Sequence, residues 1–259
     1  NLWRGWGVEP KEGSCDLFLA HLLEIVCSGD ESYYQYLIAW MADAVQHPAI
    51  KTGISVVLRG AQGAGKGLAV GYFGKIFGQH YKTVSNAAHI SGKFNAHLED
   101  CLVLFADEAF NVDNKTSIGT LKALVTESHI MVEHKGVDAQ PSKNHMRIIM
   151  SSNNEWVVPA DLDDRRFFVL DVANTEVGNY DYFAAFVKEK ESGGPAALLY
   201  ALLNMEIATN LRQVPKTAAL VAQKIASLGP VEAFWHRRLQ DGQILPSHDG
   251  WQTRARRKD

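Results

Sequence analysis

The stretch Ile54-Ser55-Val56-Val57-Leu58-Arg59-Gly60-Ala61-Gln62-Gly63-Ala64-Gly65-Lys66-Gly67 decides how the chain reads. Ile54 to Leu58 is a short apolar run without alternation, the pattern of a strand covered on both faces. It enters a glycine-rich turn, and a helix is expected from Lys66 to about Phe77. The turn has the form G-x-x-x-x-G-K, a phosphate-binding loop in its proper place between strand and helix. Glycines let the backbone curl so that successive N–H groups converge on phosphate oxygens, while Lys66 neutralises β/γ charge. The helix adds the positive end of its dipole. Gly60, Ala61, Gln62, Gly63, Ala64, Gly65, Lys66 and Gly67 are therefore the expected nucleotide-binding residues.

Gly67 departs from the pattern. It stands where a Ser or Thr hydroxyl normally ligates Mg²⁺, so the ion must be held by water or by another side chain. The competing reading is a turn that merely joins strand to helix. A dinucleotide-binding turn fits worse, because Leu68 occupies the position where G-x-G-x-x-G requires glycine.

Three further segments extend the pattern. Leu102-Val103-Leu104-Phe105-Ala106-Asp107-Glu108 is an apolar strand ending in two acids, the first suited to hold Mg²⁺ and the second to polarise an attacking water. Arg147-Ile148-Ile149-Met150-Ser151-Ser152-Asn153-Asn154 is a strand ending in amides, which can hydrogen-bond a γ-phosphate or simply make a turn. Asp164-Arg165-Arg166-Phe167-Phe168 offers guanidinium forks for a transferring phosphoryl group, or local salt bridges to Asp161, Asp163 or Asp164.

Outward from these motifs, the first 50 residues read as two helices. One carries Leu17, Ala20, Leu23 and Cys27 with Asp16 as cap and Gly29 as stop; the second starts at Ser32 and ends before Pro48. Further strands are expected at Leu102 to Phe105, Ile148 to Met150 and Phe167 to Val172, with a helix through Ile118, Leu121 and Val125. From Pro195 the chain is again helical, Ala197, Leu198, Ala201, Leu202 and Met205 sharing a face. Strands separated by helices predict an α/β fold with a mostly parallel sheet flanked by helices. The expected division is a helical lead-in over 1–52, a P-loop ATPase core over 53–175 and a helical C-terminal region over 176–259.

With 46% hydrophobic and 21% charged residues, the chain has a globular composition and room for a sizeable core. No apolar run approaches the roughly 20 residues that cross a bilayer, so no membrane partner is expected. Three widely spaced cysteines without C-x-x-C argue against a disulfide framework or a zinc site and fit a reducing cytoplasm. Net charge is −3, but Asn210 to Asp259 holds nine Lys or Arg against four Asp or Glu, leaving an acidic body of net −8. Such an end is a solvated tail or a phosphate-facing surface. The chain opens on Asn1 rather than Met, which suggests a piece of a longer polypeptide.

In order and content, the motifs Gly60 to Gly67, Phe105-Ala106-Asp107-Glu108-Ala109, Lys135-Gly136, Ser151-Ser152-Asn153-Asn154 and Asp164-Arg165-Arg166-Phe167 resemble superfamily 3 helicases, a branch of the AAA+ ATPases. The likeness is nearest to the ATPase part of phage and prophage primase-helicases, related to the poxvirus primase-helicase, and spans about Leu2 to Trp235. The resemblance implies ATP and Mg²⁺ as ligands, Lys66 on the β/γ-phosphates, Asp107 on the metal and Glu108 activating water. It implies Asn153 as sensor with Asn154 as fallback. Arg166, with Arg165 as second choice, would be a finger reaching a neighbouring subunit in a hexameric ring. It also implies a hairpin within Ile130 to Arg147, with Lys135-Gly136 at its tip and His134, Lys135 and Lys143 meeting single-stranded DNA. The implied function is a DNA helicase motor in phage, prophage or plasmid replication, working in the bacterial host cytoplasm behind a linked upstream primase or polymerase domain. An ATP-switched DNA-binding or loading module and a small-molecule P-loop kinase are the competing readings.

Overall fold

The computed structural model describes residues 2–86, 95–109, 115–154, 157–158, 160–161 and 164–243. Its centre is a five-stranded sheet of β1 (Ser55–Arg59), β2 (Tyr81–Val84), β3 (Val103–Asp107), β6 (Arg147–Ser152) and β7 (Phe167–Asp171). The order is β2-β3-β6-β1-β7 and every neighbouring pair is parallel. β4 (His129–Val132) and β5 (Gln140–Lys143) form a separate antiparallel hairpin.

The absence of alternation in the strand sequences follows from burial on both sides. Val56, Leu58, Val103, Phe105, Ile149, Phe168 and Leu170 enter one core, with α1 (Asp16–Ala20), α2 (Glu31–Gln46), α3 (Lys66–Phe77) and α6 (Gly194–Asn204). Val57, Leu104, Ala106, Ile148, Met150, Phe167 and Val169 enter the other, beneath α4 (Lys115–Thr126) and α7 (Ala218–Ala226). Successive residues of a strand thus serve opposite faces, and both faces are apolar. α5 (Tyr180–Glu191) packs on α1 and α6, and α8 (Pro230–Asp241) has no buried residue.

Several expectations are corrected. α1 buries Phe18, not Leu17 or Ala20, which are exposed; the chain then continues in a π-helical turn, His21–Val26, that buries Leu22, Ile25 and Val26. Asp16 does not cap α1. Glu189 of α5 does, accepting from the backbone N–H groups of Leu17 at 2.9 Å and Phe18 at 3.1 Å. That contact turns Phe18 inward, where it stacks on Tyr72 at 4.3 Å. α2 starts one residue earlier than expected, because Asp30 takes the cap and accepts from Tyr33 N–H at 3.0 Å. β2 was not foreseen. On α6, Ala201 is exposed and Leu199 is buried in its place. The hairpin ends at Lys143, and Arg147 instead opens β6 in the main sheet. Asp163 and residues 244–259 of the basic C-terminal end lie outside the described residues.

Candidate functional site

In a parallel sheet the strands share a direction, so β1, β3 and β6 deliver their following residues to one edge. There they form a cleft of about 490 Å³ lined by Gln62 to Leu68, Asp107, Glu108, Ser151, Asn153 and Phe183. The glycine-rich loop, the acid pair and the first of the two amides are brought together as the sequence predicts.

The loop is built from backbone conformations that side chains resist. Gly63 and Gly65 have φ of +83° and +86°, and Gly65 is the N-cap of α3. A Cβ at Gly65 would lie 2.7 Å from His21 Cε1 and 3.0 Å from Phe183 Cε1. Lys66 opens the helix with its side chain folded back over the loop. Its ammonium donates to the carbonyls of Gly60 at 2.6 Å and Ala61 at 2.8 Å, and to Asn153 Oδ1 at 2.9 Å. Burial pushes the Lys66 pKa down, and the charges of Asp107 and Glu108 oppose that shift.

Asn153 bridges the cleft. Its Nδ2 donates to Glu108 Oε1 at 2.6 Å while its Oδ1 accepts from Lys66, so a continuous chain joins the loop lysine to the second acid. Asn154 serves the turn instead, its backbone N–H donating to Ser152 Oγ at 3.0 Å. On β3, Asp107 is the register partner of Ser151 on β6, and Ser151 Oγ donates to Asp107 Oδ1. The carboxylates of Asp107 and Glu108 and the Ser151 hydroxyl offer the cleft oxygen ligands, the type that a hard cation such as Mg²⁺ takes.

The arginines and the hairpin cations lie elsewhere. Arg165 is exposed and Arg166 half-buried at the start of β7, beside β1 but at the opposite end of the strands from the glycine-rich loop. Arg166 is engaged by Asp164, with its N–H donating to Oδ1 at 2.8 Å and its guanidinium 3.5 Å from Oδ2. This is the local salt bridge that the sequence offered as the alternative. Lys135 is exposed in the hairpin connection beside Gly136, whose φ is +80°. His134 pairs with Glu99 at 3.2 Å. Lys143 ends β5 opposite His129, at the base of the hairpin rather than its tip, so the three cations are not brought together.

Two cleft residues, Ser151 and Phe183, and the buried His21 behind the loop went unnoticed in the sequence reading. Ser151 lay unremarked inside a quoted motif. Phe183 and His21 come from distant helical segments and meet over Gly65. His21 is fully buried, with Nδ1 paired to the Tyr182 hydroxyl at 2.9 Å. Its Nε2, against the Gly65 backbone, makes no well-formed hydrogen bond among the described residues. Burial lowers its pKa to about 4, so it is neutral near pH 7.

Residues 58–166 match a family of unknown function, DUF5906. The chain is 31% identical over 141 residues, 53% of its length, to the DNA primase-polymerase of Nitratiruptor phage NrS-1, and spans 19% of that relative. An apo structure of the NrS-1 C terminal region (305–718) superposes with a TM-score of 0.77 at 23% identity, over 92% of this chain and 57% of that one. An A-form apo structure of the same region gives 0.73 at 23% identity, over 90% and 59%. The fold of this chain is that of the NrS-1 C terminal region.

Proposed function

We propose that the chain is an ATP-hydrolysing motor of phage or mobile-element DNA replication, acting on single-stranded DNA. The observation that carries this reading is the chain Lys66–Asn153–Glu108 across the cleft. It spans the place where a γ-phosphate would enter, contacted by a cation on one side and a carboxylate on the other. Similarity to a phage DNA primase-polymerase supports the replication setting, and with it a linked primase or polymerase domain and the host cytoplasm.

Each residue has a physical part in such a reaction. Residues 63–66 line the cleft at the start of α3, and their backbone N–H groups would bind phosphate oxygens, that of Ala64 after leaving the Ala61 carbonyl. Lys66, partly stripped of water, would exchange its carbonyl partners for β/γ oxygens. Asp107 would hold Mg²⁺, which neutralises charge on the transferring phosphoryl group. Glu108 would accept a proton from the attacking water once Asn153 leaves it for the γ-phosphate. Hydrolysis is thereby coupled to nucleotide occupancy through one amide.

A ring, hexameric by resemblance, would let Arg166, with Arg165 beside it, act on the neighbouring subunit's nucleotide. Arg166 must first leave Asp164. That pairing favours a second reading, an ATP-switched DNA-binding module that does not unwind. His134, Lys135 and Lys143 would contribute sequence-blind phosphate contacts.

The test is steady-state ATP hydrolysis across protein concentration, with and without single-stranded DNA, for wild type, Lys66→Ala and Arg166→Ala. The motor reading expects stimulation by DNA, a steeper than linear rise with concentration, and loss in both variants. Activity indifferent to DNA and concentration overturns it. Wild-type behaviour of Arg166→Ala removes the finger.

A further inference from the structure

We propose that Ser151 supplies, from β6, the hydroxyl that Gly67 lacks, positioning the Asp107 carboxylate for a divalent cation bound with nucleotide. The inference rests on reading the cleft as an ATP site.

Asp107 and Ser151 are partners at the end of the β3–β6 ladder, and both line the cleft. Ser151 Oγ donates to Asp107 Oδ1. Ser151 is only 3% exposed, so its hydroxyl is confined while the half-buried Asp107 reaches solvent. A carboxylate held by one oxygen cannot turn freely, and Asp107 lines the cleft with its other oxygen left for a ligand. Positioning of this kind is how outer partners tune a metal ligand.

Space does not explain the glycine at position 67. Its φ is not in the left-handed region, and a Cβ there would meet only Phe105 Cε1, at an ordinary 3.9 Å. A serine would fit, so sterics do not dictate the glycine, and in this proposal an acid oriented by Ser151 offsets the missing metal-binding hydroxyl. Among the described residues no group of three His, Cys, Asp or Glu could cage a metal. One positioned carboxylate with phosphates and waters is the usual mode for Mg²⁺.

The experiment measures affinity for a fluorescent, non-hydrolysable ATP analogue with Mg²⁺ and with EDTA, alongside Mn²⁺ binding by electron paramagnetic resonance. The proteins are wild type, Ser151→Ala, Gly67→Ser and the double variant. Ser151→Ala should lose about tenfold of the Mg²⁺-dependent gain and of Mn²⁺ affinity, with binding in EDTA unchanged. Gly67→Ser in that background should recover both to within about twofold of wild type. If Ser151→Ala does not fold, Ser151→Cys, similar in shape but a weak donor, is read the same way. A full Mg²⁺ gain without the Ser151 hydroxyl, or a double variant no better than the single, overturns the inference while leaving the ATP site standing. Wild type that binds no nucleotide in either condition overturns the ATP site itself.

Discussion

Gly65→Ala isolates the strain on which the cleft is built. Gly65 has φ of +86°, and placing an L-residue there costs about 1–2 kcal/mol. Its new Cβ would also lie 2.7 Å from His21 Cε1, 3.0 Å from His21 Nε2 and 3.0 Å from Phe183 Cε1. The histidine ring cannot retreat, being fully buried, bound to Tyr182 and edge-on to Phe186 at 5.0 Å. Overpacking of this kind adds about 1–3 kcal/mol, so the total loss should be about 2–5 kcal/mol. Urea unfolding followed by circular dichroism measures it. Removing the ring separates the two parts. In a His21→Ala background the backbone strain persists while most of the crowding is gone, so Gly65→Ala should cost only about 1–2 kcal/mol there. A loss below about 0.5 kcal/mol in wild type, or the same loss in both backgrounds, would refute the argument.

His21 also predicts an acid sensitivity. Its pKa is about 4 in the fold against an ordinary 6.5, so the unfolded chain takes up the proton first. Its contribution is complete above about pH 6.5 and is lost as pH falls towards 4, by up to about 3 kcal/mol. Urea midpoints at pH 7, 5 and 4 should fall less steeply in His21→Leu than in wild type. Arg147 predicts a structural loss. Its guanidinium, 1% exposed, donates to Asp43 Oδ2 at 2.7 Å and to the carbonyls of Asp43, His47 and Ile50, pinning the end of α2 to β6. Arg147→Met removes the donor to Asp43 Oδ2 and to the Ile50 carbonyl, while the Asp43 and His47 carbonyls keep their backbone N–H donors, and should cost about 3 kcal/mol in the same assay. Arg147→Lys should recover part of the loss, since all four bonds come from the one nitrogen Nη2 and an ammonium also carries its donors on one nitrogen.

The parallel sheet was legible because β1, β3, β6 and β7 are apolar on both sides. Val56 and Val57 face opposite cores, and no amphipathic helix needs two adjacent valines in a run of five. β2 escaped notice because an edge strand needs no such run: Tyr81 and Lys82 are half-buried, Thr83 is exposed, and only Val84 is buried. The face of α1 was illegible for another reason. Asp16 to Val26 carries two apolar stripes, and the choice between them is made by Glu189, remote in sequence. Lys66 and Asn153 were readable because each follows a strand end in a short motif. Ser151 and His21 matter through register and packing, neither of which a local pattern encodes.

Asp107 and Glu108 show how far the local pattern reaches. Consecutive strand residues point to opposite faces, so an Asp-Glu pair continuing β3 would send only one carboxylate into the cleft. Both line it nonetheless. β3 ends at Asp107, and Glu108 takes φ of +53°, a left-handed conformation uncommon outside glycine and costing about 1–2 kcal/mol. Its N–H still donates to Ser151 O at 3.0 Å, so the turn happens within reach of β6 rather than after the chain has left it. That turn brings the Glu108 carboxylate to Asn153. The strain is therefore opposed by two bonds to the same neighbouring segment, which also holds Asp107 through Ser151. Residues 151–153 are in this sense the frame on which both acids are hung, and that role follows from β6 lying between β1, which leads into the loop, and β3. A motif can name the acids, but only the strand order makes them converge.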